Sequence, residues 1–275
     1  MMILKVLSFS ADYIITKYAM QRSQYLNPFD LCLGVVVILC PMNLYVAKNQ
    51  KVPLNIFKYK SDLFWVIWIR AFIGTINNLW MLYALKFISV GKSILVRSLN
   101  PLWCSIIAAI ILKETLTKVT VTSTVISILG IYLLTLNSVD ESADSKYTYI
   151  GYSLASLSAW LYGGIFVCIR YLNINGAHPI MSSFWVGVGI LLQTILAFFW
   201  GYLNYDKYDK FDIAWLVGVG LVNFTGQLWM SLANKYSPVS KMSPFNNLEI
   251  IVALLADAVI FHYVSKECSI VQSLL

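Results

Sequence analysis

Two neighbouring apolar runs of this chain carry arginine and asparagine side chains in their interior. Arg70 and Asn78 stand in the first run, and Arg97 and Asn100 stand in the second. A guanidinium holds carboxylate or phosphate groups with a fork of N–H donors, and an amide both donates and accepts hydrogen bonds. Because such groups are costly at membrane depth, they usually face a protein interior or a wet cavity. The pattern predicts a binding site for a small polar or anionic molecule.

The composition is typical of a polytopic membrane protein. Of the 275 residues, 59% are hydrophobic and 12% are charged, whereas soluble domains carry roughly 45–50% apolar and about 25% charged residues. Much of the net charge of +7 lies at the ends of apolar runs, as in juxtamembrane segments. A nucleic-acid-binding protein would instead gather it on one surface. The lipid bilayer is therefore an expected partner, and nucleic acid is not.

The residue types that support catalysis or metal binding lack the required spacing. The five cysteines form no close pairs, so the sequence predicts neither a disulfide framework nor a metal site, and no cofactor is expected. An intramembrane hydrolase would need paired Asp or Ser and His groups at membrane depth. Asp12 and Asp257 have no supporting motif, and His178 and His262 lie at the ends of apolar runs. The chain is not predicted to be an enzyme.

The lengths of the apolar runs predict an all-α membrane protein with nine full spans and a truncated tenth helix. A spanning helix needs about 20 apolar residues. The predicted spans cover 2–20, 29–47, 63–85, 93–112, 119–136, 149–172, 180–202, 213–235 and 240–261. The last apolar segment, 268–275, is too short to cross a bilayer.

An internal repeat relates the two halves of the chain. A shift of 149 residues places Trp80 on Trp229 and aligns 80–99 with 229–248, with seven of the 20 positions identical. Five predicted spans precede the second copy, so it enters the membrane from the opposite side. Inverted repeats of this kind are common in secondary transporters, whose substrate sites lie between the repeats.

A polar stretch separates the two copies. The predicted domains are a first five-helix repeat over 1–138, a polar hinge loop over 139–148, and a second repeat over 149–275 whose last helix is incomplete. Lysines cluster in the connection after the second predicted span. The positive-inside rule therefore predicts that the N-terminus of this multi-pass integral membrane protein is cytoplasmic.

The repeat register extends the site to the second half. The same shift pairs Asn78 with Gln227 and Asn100 with Glu249, so Arg97 and Glu249 are expected on opposite sides of one cavity. They are predicted either to bind substrate or to form an internal ion pair. The predicted substrate-binding residues are Arg70, Asn78, Arg97, Asn100, Gln227, Asn247 and Glu249.

Acidic side chains inside apolar runs form a second group of candidates. Asp12 shares a helical stripe with Lys5, which is expected to extend to the membrane surface. Two interpretations of Asp12 remain open: a carboxylate that couples transport to an ion, and a structural ion pair with Arg70 or Arg97. Asp257 is a candidate of the same class.

The order Arg70, Ala84-Leu85, Pro101 and Glu114, with a weaker second copy, resembles the drug/metabolite transporter superfamily, and within it the EamA-type ten-helix transporters. The resemblance covers essentially the whole chain. It implies two inverted five-helix repeats around a central cavity lined by helices one, three, four, six, eight and nine. It also implies transport of a small metabolite without ATP, and it does not specify the substrate.

The sequence departs from the family pattern in two places, and the second of them, the short tenth helix, supports an alternative function. The register puts Tyr263 where the second copy would carry the counterpart of Glu114, and the tenth helix is short. The alternative to a transporter is a transport-inactive membrane partner or scaffold with a degenerate tenth helix. A small-molecule substrate is the expected partner of a transporter, and a homodimer is an alternative to a monomer.

Overall fold

The computed structural model describes residues 1–23, 25–54, 61–113, 145–236 and 248–260, together with 122, 125 and 129. All regular structure in this part of the chain is helical, as predicted. The helices are α1 (Met2–Arg22), α2 (Pro28–Asn49), α3 (Ser61–Phe87), α4 (Val90–Arg97), α5 (Asn100–Ile111), α6 (Ser145–Ile174), α7 (Pro179–Phe199), α8 (Lys210–Tyr236) and α9 (Leu248–Val259). One turn of 3-10 helix, Tyr205–Lys207, lies between α7 and α8.

Within the described residues, six helical stretches are long and apolar enough to cross a membrane. They are Pro28–Asn49, Ser61–Phe87, Val90–Ile111, Tyr147–Ile174, Pro179–Phe199 and Lys210–Tyr236. Each agrees within a few residues with one of the nine predicted spans. Helix α1 covers the first predicted span, but Lys5, Asp12 and Lys17 make it less apolar.

The remaining predicted segments are described in part or not at all. The span predicted at 119–136 and the segment 268–275 lie outside the described residues, apart from 122, 125 and 129, and the span predicted at 240–261 is described only as α9. Helix α6 begins at Ser145, inside the range predicted for the polar hinge. The total number of spans therefore stays a prediction.

The predicted span 93–112 is interrupted next to Arg97. Helix α4 ends at Arg97, and α5 begins at Asn100. Between them the backbone tightens, with Leu99 N donating to the Val96 carbonyl at 3.3 Å. Pro101 has no N–H, and its ring clashes with a carbonyl four residues earlier in a continuous helix. The break therefore follows from Pro101, and it leaves Arg97 at the end of a short helix.

The helix contacts repeat between the two halves. Helices α3 and α8 have 27 residues each, and their bounds are related by the 149-residue shift. Helix α1 packs on α8 and α6 packs on α3, while α2 packs on α8 and α7 packs on α3. Helices α2 and α7 pack on each other. Each of these contacts between the halves thus has its counterpart when the halves are exchanged.

Helices α2 and α8 cross at backbone distance. A Cβ atom at Gly220 would lie 2.5 Å from the Gly34 carbonyl oxygen, and one at Gly34 would lie 2.6 Å from the Leu216 carbonyl oxygen. Small residues allow such close packing of helices in membranes. This crossing joins the second helix of the first half to α8 and fixes one wall of the helix bundle.

A polar junction ties two loops together at the end of the bundle where α1 finishes. Asp30, at the start of α2, is 0% exposed. Its carboxylate accepts hydrogen bonds from Asn27 N at 2.9 Å, Asn204 N at 3.1 Å and the Tyr208 hydroxyl at 2.5 Å. The loop between α1 and α2 is thereby held against the loop between α7 and α8.

Candidate functional site

A small cavity lies between α1, α3, α4, α6 and α8. Its polar and aromatic lining consists of Phe9, Asp12, Tyr13, Thr16, Arg70, Asn77, Asn78, Arg97, Tyr162, Asn223 and Gln227. The volume of about 30 Å³ holds one or two water molecules. Five of the six helices expected from the family resemblance contribute, whereas the described part of the ninth predicted span does not.

Arg70 places its guanidinium in the cavity from the middle of α3. The side chain is 1% exposed, and Nη2 donates to Gln227 Oε1 at 3.3 Å. Its Nε and Nη1 atoms have no hydrogen-bond partner among the described residues. A Cβ atom at Gly74, one turn later, would collide with Arg70 Nη1. Gly74 therefore makes room for the guanidinium.

Arg97 enters the same cavity from the end of α4. Its guanidinium carbon lies 3.8 Å from the ring centre of Tyr162 and 5.1 Å from that of Tyr13. The ring faces attract the cation electrostatically. In the described structure Nε and Nη1 of Arg97 also lack hydrogen-bond partners. Two buried guanidiniums thus line one cavity, each with two donors available to a ligand.

Asp12 lies opposite these cations on α1. Asp12 Oδ2 accepts a hydrogen bond from Asn223 Nδ2 at 2.8 Å, and Asp12 Oδ1 and Asn223 Oδ1 have no partner among the described residues. Neither Arg70 nor Arg97 is within ion-pair distance of the carboxylate, since the one salt bridge of the described structure joins other residues. The cavity therefore holds an acceptor as well as donors.

Amide groups complete the polar wall from α3. Asn77 Oδ1 accepts a hydrogen bond from Ser158 Oγ at 2.8 Å, which links α3 to α6. Asn78 Nδ2 lies 3.6 Å from Cys32 Sγ, a weak hydrogen bond that turns this amide towards α2. Asn78 and Gln227, predicted as repeat counterparts, both line the cavity.

The structure places Glu249 outside the cavity lining. Glu249 is 2% exposed and forms an ion pair with Lys5, which is 0% exposed. Lys5 therefore lies in the interior and does not extend to the membrane surface as expected. The ion pair considered between Arg97 and Glu249 is absent, because each side chain has a different neighbour.

The three remaining predicted residues are not found in the lining of the cavity among the described residues. Asn100 is buried at the start of α5 but is not among the cavity-lining residues. Asn247 lies outside the described residues, and for Asp257 only its position in α9 is described.

Sequence reasoning missed the aromatic part of the site and an anchoring lysine. Phe9, Asp12, Tyr13 and Thr16 have helical spacing and line the cavity together, so the lining face of α1 is rotated slightly from the polar stripe that begins at Lys5.

Lys17 Nζ donates to the Leu85 and Ile88 carbonyls at 2.5 and 3.0 Å, at the end of α3.

A similar anchor holds the second half. Arg170 Nη1, on α6, donates to the Asn234 and Lys235 carbonyls at 3.0 and 3.3 Å, at the end of α8. A basic side chain on the first helix of each half thus binds the end of the third helix of the same half. A basic residue near the end of its helix was the sequence signal for both.

Comparisons with known proteins agree with this architecture. An uncharacterized transporter of Helicobacter pylori is 22% identical over 252 residues, which cover 88% of this chain and 80% of that protein. A probable transport protein of Saccharomyces cerevisiae is 21% identical over 261 residues, covering 86% and 72%. A protein of known crystal structure matches with a TM-score of 0.67 and 14% identity, covering 93% of this chain and 87% of that one, which supports the fold alone.

A protein-family model covers most of the sequence in two segments. The model of the EamA-like transporter family matches residues 1–136 and 149–266. This match confirms the resemblance noted from the sequence, and the apolar helices place the protein in a membrane. The chain belongs to the EamA-like transporter family.

Proposed function

We propose that this EamA-family membrane transporter moves a small polar or anionic metabolite by alternating access around the cavity. The observation that carries the proposal is the pair of buried guanidiniums, Arg70 and Arg97. Both line the same cavity, and Nε and Nη1 of each lack a hydrogen-bond partner within the described structure. Buried donors without partners are rare, because nothing compensates their desolvation. An anionic group of a substrate would supply that compensation.

The remaining cavity groups suit a ligand with several polar atoms. The Asp12 carboxylate offers an acceptor oxygen, and Asn78 and Gln227 offer amides. The rings of Tyr13 and Tyr162 confine Arg97, so its donors are held in place before a ligand arrives. Such preorganisation lowers the entropic cost of binding.

The small volume of the cavity supports an occluded conformation of the transporter, intermediate between two conformations that are open to opposite sides of the membrane. About 30 Å³ admits water but no metabolite, so binding requires the helices around Arg70 and Arg97 to separate. The matched contacts of α1 with α8 and of α6 with α3 support two inverted repeats that rock about this point. We assign the repeats to 1–138 and 149–275 and the N-terminus to the cytoplasmic side.

Uptake by reconstituted protein tests the proposal. The purified chain in liposomes is screened against radiolabelled amino acids, organic acids and sugar phosphates for saturable exchange. Arg70→Gln and Arg97→Gln should each lower exchange at least tenfold, because a bidentate contact is lost (about 1.4 kcal/mol per factor of ten). Trp160→Phe is the matched control, since Trp160 lies on α6 near Tyr162 but is 50% exposed.

The opposite result would favour the alternative function. If uptake of every compound equals that of empty liposomes, while the protein remains folded and monodisperse, the chain is a transport-inactive membrane partner. If uptake is found but neither arginine variant affects it, the cavity assignment is wrong.

A further inference from the structure

The ion pair between Lys5 and Glu249 lies next to the cavity, towards the end of the bundle where α1 begins. Lys5 is in the first turns of α1, and Glu249 is in the first turn of α9. Both are almost fully buried, at 0% and 2% exposure. A buried ion pair contributes little stability compared with well-packed apolar side chains. Its presence beside a candidate transport path therefore suggests a role in ligand handling.

Aromatic rings that lie against Lys5 also border the cavity. Lys5 Nζ lies 5.2 Å from the ring centre of Phe9, 5.4 Å from that of Tyr162 and 5.7 Å from that of Phe166. Phe9 and Tyr162 also line the cavity. The ring of Tyr162 contacts Arg97 at 3.8 Å as well. One aromatic side chain thus lies against a cation of the cavity and a cation beyond it.

We propose that Lys5 is a second anion-binding subsite on the path, occupied in this conformation by the carboxylate of Glu249. The ligand is a small molecule with a carboxylate, which takes the place of Glu249 when this end of the cavity opens. The proposal rests on the proposed function and extends it by one step. Lys5 already binds the carboxylate of Glu249, and this contact indicates that the subsite accepts a carboxylate.

Exchange of one carboxylate for another keeps Lys5 neutralised throughout. If the pair simply separated, a buried cation would lose its counter-charge, which is strongly unfavourable. A substrate carboxylate that arrives from Arg97 removes this cost for Lys5, and the displaced carboxylate of Glu249 is hydrated by the water that enters as this end opens. The opening of this end is therefore favoured when the cavity is loaded. Glu249 then acts as an internal competitor of the substrate.

Competition predicts opposite effects for the two members of the pair. Thermal unfolding of the purified chain is measured against sodium acetate concentration, with sodium chloride at equal ionic strength as the reference. In Glu249→Gln the subsite loses its competitor, so half-maximal stabilisation should need at least tenfold less acetate than in the parent. In Lys5→Gln the subsite is removed, so acetate should stabilise this variant less than it stabilises the parent. A purely structural pair would shift both variants in the same direction, or neither, and that result would overturn the proposal.

A labelling experiment covers the case in which Glu249→Gln does not fold. Thr16, which lines the cavity, is changed to Cys in a chain without its native cysteines. Glu249→Asp keeps the charge but shortens the side chain and should loosen the pair. The chain is reconstituted in liposomes, and a membrane-impermeant maleimide is added on the side where α1 begins. The cysteine at position 16 should be labelled at least threefold faster in the Glu249→Asp chain than in the same chain with Glu249. Tyr208→Phe is the control, because its hydroxyl bonds Asp30 at the other end of the bundle.

The two readouts separate this inference from the proposed function, because neither needs a transported substrate. Equal labelling rates in the Glu249→Asp and Tyr208→Phe chains would refute the subsite even if uptake is found. If the two variants show opposite acetate effects but no metabolite is taken up, the subsite is supported and only the proposed transport is refuted.

Discussion

The guanidinium of Arg97 is held against the ring of Tyr162, with 3.8 Å between the guanidinium carbon and the ring centre. In the described structure no carboxylate is within ion-pair distance of Arg97. The aromatic face therefore provides the negative potential that an acidic partner would otherwise supply. This arrangement leaves the N–H donors of Arg97 available to a ligand.

Replacing the ring of Tyr162 should destabilise the protein. Tyr162→Leu removes the face that holds Arg97, and a desolvated cation–π contact is worth about 2 kcal/mol or more. Tyr162→Phe keeps the ring and loses only a weak hydroxyl contact to Met230 Sδ at 3.6 Å. Thermal unfolding in detergent should therefore give a clearly lower midpoint for the leucine variant than for the phenylalanine variant. Equal midpoints would show that the ring contributes no more than apolar packing.

Lys17 should stabilise the protein by binding the end of α3. Its Nζ donates to the Leu85 and Ile88 carbonyls, where a helix C-terminus attracts positive charge. Lys17→Met should lower the free energy of unfolding by about 1.5–3 kcal/mol, the usual worth of hydrogen bonds from a charged donor. Lys86→Met, an exposed lysine at the same end of α3, is the matched control and should change stability by less than about 0.5 kcal/mol.

The crossing of α2 and α8 should tolerate no side chain at Gly220. Gly220→Ala would place Cβ 2.5 Å from the Gly34 carbonyl oxygen, and backbone cannot move aside as a side chain can. Overpacking of this kind costs about 1–3 kcal/mol. Gly218→Ala provides the control on the same helix, because a Cβ atom there meets nothing within 4 Å. Denaturation should show a loss for Gly220→Ala only, and similar curves for both variants would contradict the close crossing.

Sequence patterns predicted the helices well because their signal is local. The spans expected at 63–85 and 213–235 appear as α3 and α8, extended by a few residues at each end. The sequence predicted one continuous helix over 93–112 and not the interruption after Arg97, although Pro101 lies four residues further on. A proline shows where a helix is weakened, and neighbouring packing decides whether the helix bends or ends.

The site was predicted in part, because facing partners are set by tertiary packing. Arg70, Arg97, Asn78 and Gln227 were identified as polar groups in apolar runs, and all four line one cavity. The repeat register gives the depth of Glu249 along the bundle but not the direction in which it points. Its partner Lys5 is 244 residues away in sequence, and no local pattern could pair them.

The stability of the protein should fall as the pH is lowered through the range in which His178 titrates. Burial, and secondarily the charge of Lys235, lower the pKa of His178 below its ordinary value of 6.5. His178 precedes α7, where Nδ1 accepts a hydrogen bond from Ile180 N at 3.4 Å. Between the lowered folded pKa and 6.5 the unfolded chain binds more protons, so acidification favours unfolding there.

A substitution at His178 separates this contribution from other titrating groups. His178→Asn keeps an N-cap acceptor and removes the titration, so unfolding midpoints between pH 7 and pH 5 should change less than in the parent. Lys235→Gln should raise the pKa of His178 and weaken the dependence. If the parent and His178→Asn show the same pH dependence, the imidazole does not contribute.

Gly74 should matter for transport more than for folding. A Cβ atom at this position would collide with Arg70 Nη1, the end of a flexible side chain that can rotate away, and would lie 3.1 Å from Val186 Cγ2, which needs to shift by only a few tenths of an ångström. Gly74→Ala should therefore leave the unfolding midpoint nearly unchanged but displace the guanidinium from the cavity, and a displacement of about 1 Å at a binding group can reduce a rate about a hundredfold. Gly164→Ala is the control, because a Cβ atom there meets nothing within 4 Å. Exchange in liposomes should fall at least tenfold for Gly74→Ala and stay at the parent level for Gly164→Ala. Undiminished exchange by a folded Gly74→Ala chain would mean that the position of Arg70 does not determine substrate binding.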